Sequence, residues 1–66
     1  MTKEQKRQRF LEIRHQLGMS QRDIGEYLQR SRGCVIKWEN NTREIPAMVI
    51  EFLELKVANE PSNTKI

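Results

Sequence analysis

Residues 20–39 read SQRDIGEYLQRSRGCVIKWE. Two short helical patterns share this run, each opening on a serine, and only Gln29 and Arg30 lie between Leu28 and Ser31. Ser20 with Asp23 three residues on forms an S-x-x-D capping box, which satisfies two backbone donors at a helix start. Ile24 and Leu28 then fall on one face at i, i+4, with Met19 placed as a hydrophobic staple before them. Gly25 costs a helix ~1 kcal/mol against alanine. The reason expected for it is close approach of the next helix, which leaves no room for a side chain. Ser31 caps that next helix, and Val35 and Trp38 form its buried stripe. Its opposite face carries Arg32, Gly33, Ile36 and Lys37: two cations beside a glycine and an apolar side chain. Such a face asks for a partner.

Two helices joined through so short a turn have the layout of a helix-turn-helix, whose second helix can be laid into the major groove of DNA. The stretch resembles the phage Cro/CI-like (XRE-type) helix-turn-helix regulators. The residues that carry the resemblance are Arg14, Leu17-Gly18-Met19-Ser20-Gln21, Ile24-Gly25, Leu28, Ser31, Val35, Trp38-Glu39, Asn41 and Pro46. It covers roughly Phe10 to Leu55. The run N-T-R-E-I-P at 41–46, followed by an apolar last helix, also resembles the anti-CRISPR-associated autorepressors. Three positions depart from the family pattern. Gln29 stands at a turn position usually held by glycine, where a positive φ is uncommon for other residues. Gly33 is unusual near the start of the reading helix. Asn41 replaces a common glycine but tolerates the left-handed conformation that ends a helix.

The resemblance implies an all-α, lambda-repressor-like four-helix domain that binds a palindromic operator as a homodimer. It makes Gln21 a phosphate clamp, with Ser31, Asn40 and Arg43 as further backbone contacts, and gives Arg32, Gly33, Ile36 and Lys37 the base-reading positions. It also pairs Arg14 with Glu39 at the core's edge, where the ion pair orients the third helix. Physical chemistry supports the reading face independently. Arg32 can present a bidentate fork to guanine O6/N7, Lys37 can reach the next steps, and Ile36 suits a thymine methyl. Gly33 has nothing to read with and would let backbone approach the DNA. A phosphate contact is the alternative for Arg32. Arg22 and Arg30 are auxiliary phosphate candidates.

At 66 residues the chain is one domain, near the lower size at which a core holds without staples. A single cysteine excludes an internal disulfide framework and any multi-cysteine metal site. No apolar run approaches ~20 residues, and no signal-peptide pattern follows the charged start, so a reducing cytoplasm is expected. Residues 1–43 hold ten Lys/Arg against five Asp/Glu, whereas residues 44–66 hold two against four. That imbalance points to one face turned toward phosphate and another turned away.

Thr2 with Gln5 reads as a capping box opening the first helix, and Phe10, Ile13 and Leu17 give its buried stripe up to Gly18. Its Lys3, Lys6, Arg7 and Arg9 read as a solvated polar face. The second helix is expected over about Gln21–Leu28, the third over about Arg32–Asn40, and a fourth from Pro46 to about Val57. In this last helix Met48, Val49, Phe52, Leu53 and Leu55 are the expected core cover. A surplus apolar strip of Ile50, Leu53 and Val57 then becomes the expected dimer interface. The domain is expected over 1–58, with 59–66 a flexible tail.

Other classes fit less well. One histidine, one cysteine and no phosphate-binding glycine loop leave no constellation for catalysis, cofactor or metal binding. His15 reads as a surface residue, and Cys34 as a small packing residue, since no resolving thiol is in sight. No small-molecule effector site is evident. RNA binding is disfavoured because Phe10, Trp38 and Phe52 read as buried, which leaves Tyr27 alone for stacking. The rival is a protein-interaction module that docks through the fourth helix.

Overall fold

Thr2 opens the first helix: its hydroxyl accepts from Gln5 N–H, and the Gln5 side chain accepts from Thr2 N–H in return. In the structure, a computed structural model that describes residues 1–59, four helices follow in order. They are α1 (Lys3–Leu17), α2 (Gln21–Leu28), α3 (Arg32–Glu39) and α4 (Ala47–Ala58), and the described residues contain no strand. Gly18 ends α1 at φ 69°, in the left-handed region. Ser20 and Asp23 complete the second capping box, and Ser31 Oγ accepts from Cys34 N–H to open α3. Pro46 stands just before α4, its fixed φ of −61° already suited to a helix start. Of the expected tail only Asn59 lies within the described residues, where it ends α4.

The core is built where α1 packs on α3 and α4, and α2 packs on α3. Phe10, Ile13, Ile24, Val35, Trp38 and Leu53 are buried together, and Phe10 meets Trp38 edge to face at 5.6 Å. Each such side chain contributes ~1.5–3 kcal/mol by leaving water. Gly25 holds the expected close approach. A Cβ there would stand 2.9 Å from the Arg30 carbonyl oxygen and 3.4 Å from Val35 Cγ2. The α2–α3 turn is made without glycine, Gln29 taking φ 58°, and Asn41 in the loop after α3 takes φ 70°. Trp38 Nε1 is buried with no hydrogen-bond partner among the described residues.

Helix α4 is rotated from its expected setting. Ile50 and Leu53 are buried and Val57 packs against the core, so these three are core residues and not a free dimer strip. Met48, Phe52 and Leu55, expected to cover the core, are exposed instead. Arg9 marks this setting. Its Nε and Nη2 grip the two carboxylate oxygens of Glu54 at 2.6 Å each, a fork-to-fork pair. Glu54 lies on the same side of the helix as Ile50 and Val57, at i−4 and i+3, so the pair and the burial of these residues belong to one setting of α4 against the core. Ile45, in the loop before α4, adds a buried side chain that the sequence pattern did not mark.

Of the α1 cations expected on a solvated face, Lys3 is exposed, but Lys6, Arg7 and Arg9 are engaged in ion pairs. Lys6 is buried and reaches Glu44 at 2.7 Å, while Arg7 pairs with Glu4 and donates to the Glu39 carbonyl. Lys6–Glu44 and Arg9–Glu54 each join the basic half of the chain to the acidic half. The expected division into a basic and an acidic face therefore does not follow the linear sequence.

Candidate nucleic-acid interface

Helix α3 turns Val35 and Trp38 inward, which leaves the opposite arc outside. Arg32, Gly33 and Lys37 are exposed on that arc and Ile36 is half-buried. A Cβ at Gly33 would meet nothing nearer than Ser31 Oγ at 3.8 Å, so no intramolecular contact requires glycine there. Ser31 spends an oxygen lone pair on the cap, and its hydroxyl hydrogen remains a donor. Beyond α3, Asn40 Oδ1 accepts from the Thr42 N–H and hydroxyl, closing a tight turn. Arg43 follows at the surface, its backbone N–H bonded to Lys37 O. Arg30 is exposed at the α2–α3 turn. The structure thus gathers Arg30, Ser31, Arg32, Gly33 and Lys37 around one short helix, with Asn40 and Arg43 beyond its end.

Glu39 anchors that helix. Its carboxylate accepts from Arg14 Nε at 2.7 Å and from Gln21 Nε2 at 2.8 Å, and both ends of the Arg14–Glu39 pair are mostly buried. Arg14 also donates to the Met19 carbonyl at 3.1 Å. One carboxylate thereby fixes α1, the start of α2 and the end of α3 to each other. The Arg14–Glu39 pair stands as the resemblance implied. Gln21 differs from the expected open clamp: one amide hydrogen is held by Glu39, so only the other can reach a phosphate.

Electrostatics sort the cations into two groups. Lys6, Arg7, Arg9 and Arg14 are tied to Glu44, Glu4, Glu54 and Glu39. The hydrogen bonds from Lys6 and Arg9 hold the Glu44 and Glu54 carboxyls below the ordinary 4.5, and Arg7 does the same to Glu4. Arg22 makes a looser surface pair with Glu26 at 3.3 Å. Arg30, Arg32, Lys37 and Arg43 have no carboxylate partner among the described residues. Apart from Lys3 at the start of α1, the cations that no ion pair engages among the described residues are concentrated at α3 and its flanking turns. The sequence identified these four cations but missed Glu44 and Glu54 as the groups that withdraw the α1 cations.

Comparison with protein-family models, curated proteins and solved structures finds no match. Among the described residues no helix is long and apolar enough to cross a membrane.

Proposed function

We propose that this chain is a sequence-specific DNA-binding transcriptional regulator, a helix-turn-helix protein that lays α3 in the major groove of a two-fold operator as a homodimer. The observation that carries the reading is the sorting of cations: Lys6, Arg7, Arg9 and Arg14 on α1 are paired with carboxylates, and Arg30, Arg32, Lys37 and Arg43 around α3 are not. An α-helix is ~10–12 Å across with its side chains, which the major groove, ~12 Å wide, admits. Arg32 and Lys37 read base edges, Gly33 lets the backbone close on the groove, and Ile36 lies beside a thymine methyl. Arg30, Arg43, Ser31 and the free amide hydrogen of Gln21 hold phosphates. Repression by occupying the operator is the mode that needs no further surface. Selection of bound duplexes from a random pool tests the reading. A recovered two-fold consensus, bound more weakly as salt rises, supports it. A pool without consensus and affinity indifferent to salt would overturn it.

A further inference from the structure

Tyr27 on α2 and Phe52 on α4 stack with ring centroids 5.4 Å apart, and Lys56 Nζ lies 4.9 Å above the tyrosine ring. Around this pair the fold leaves its large apolar side chains outside: Met48 is 76% exposed, Leu55 63%, Phe52 46% and Tyr27 37%. Beside them is a groove of about 300 Å³ lined by Tyr27, Leu28, Gln29, Arg30, Met48 and Phe52, among others. We infer that this strip is where a second copy of the chain docks, α4 against α4, with the Tyr27–Phe52 stack at its centre.

Area and rigidity point to that occupant. Large side chains carry ~200 Å² each, so the four exposed fractions amount to roughly 450 Å² of apolar surface. A standard interface removes ~800 Å² per partner, of which about 56–65% is apolar. One strip thus supplies the apolar share of one side of a standard interface, and a second copy supplies an equal one. On α4 the strip is bordered by one carboxylate, Glu51, and one ammonium, Lys56, and Arg30 lines the groove on the α2 side. The aromatic stack is held before any partner arrives, which lowers the entropy lost on docking. The inference deepens the proposed function, because a two-fold operator needs two copies. It also places the dimer contact beside the Gln29–Arg30 turn that leads into α3, so docking braces the reading helix.

The test is sedimentation equilibrium of the full chain without DNA, from ~1 to ~500 µM, on the wild type, Leu55→Glu and Phe52→Glu. Expected is a reversible monomer–dimer equilibrium whose midpoint rises at least ~10-fold in each variant. Leu55 is largely exposed, so its variant keeps the fold, and circular dichroism checks this. Ile50→Ala, at a buried position, separates general loosening from loss of the strip: it should lower the melting temperature and leave the dimer midpoint within about threefold. A wild type monomeric throughout, or a dimer indifferent to both glutamates, overturns the inference. If the dimer forms and Leu55→Glu breaks it while no duplex is bound, the docking stands and the DNA reading falls.

Discussion

Gln21 and Glu39 are joined at 2.8 Å by a side-chain hydrogen bond that crosses from the start of α2 to the end of α3. It rests on the same carboxylate that Arg14 grips from α1. Three helices therefore take their mutual setting from one mostly buried charge. Removing Arg14 alone strands Glu39, and removing Glu39 alone strands Arg14. Either change should cost up to ~3–5 kcal/mol, whereas replacing both with apolar residues should cost less than the worse single change. Gln21→Ala, which leaves the ion pair intact, should cost ~1 kcal/mol. Urea denaturation of these variants measures the coupling, and additive effects of Arg14 and Glu39 would show that the pair does not act as a unit.

Local structure was legible because its causes are local. The three serine and threonine caps, the glycine that ends α1 and the tight α2–α3 contact at Gly25 follow from short-range rules. Arg14–Glu39 was legible only through a family pattern. The setting of α4 was not legible. That helix is apolar on nearly every side, so its period cannot say which face turns inward. The setting is decided by contacts across the fold, of which Arg9–Glu54 joins residues 45 apart in sequence. The same cause hid the fate of the α1 cations, since the acids that hold Lys6 and Arg9 come from the last third of the described chain.

Those long-range pairs give the fold an acid limit. Glu44 and Glu54 have folded-state pKa values below the ordinary 4.5, so the unfolded chain binds protons more readily than the folded one. Their stabilisation is fully present above ~4.5. It is lost as pH falls through the depressed folded values. Melting temperature followed from pH 7 down to pH 2.5 should fall over that lower range. Glu54→Gln should be less stable than the wild type at pH 7 and lose less on acidification. An equal acid loss in the variant would show that the Arg9 pair carries none of it.

Gly25 and Gly33 should respond oppositely to alanine. At Gly25 the new methyl would press on a backbone oxygen, and the strain of ~1–3 kcal/mol should match or exceed the ~1 kcal/mol gained in helix propensity. At Gly33 the space is open, so Gly33→Ala should stabilise by up to ~1 kcal/mol. If the backbone at 33 closes on DNA, the same substitution should weaken operator binding. Gln29→Gly should stabilise by ~1 kcal/mol by relieving the positive φ. Thermal melts and binding titrations of the three variants read both effects. Unchanged affinity in Gly33→Ala would remove the close-approach role of this glycine.

Reading and holding should separate at the cations the fold leaves free. Arg32 projects from the exposed arc of α3 and should meet a base edge, whereas Arg43 follows the helix and should meet a phosphate. Arg32→Ala should cost ~1–3 kcal/mol on the preferred operator and relax discrimination at one or two base positions. Arg43→Ala should weaken all sequences about equally and shrink the salt slope by about one unit per protomer. Arg9→Ala, which removes a cation already held by Glu54, should leave the salt slope unchanged while lowering stability. The measurement is binding of each variant to a panel of single-base operator mutants at two salt concentrations. Parallel losses across the panel for both Arg32→Ala and Arg43→Ala would show that α3 holds DNA without reading it. A salt slope that falls as much for Arg9→Ala as for Arg43→Ala would mean that the α1 cations leave their carboxylates when DNA binds.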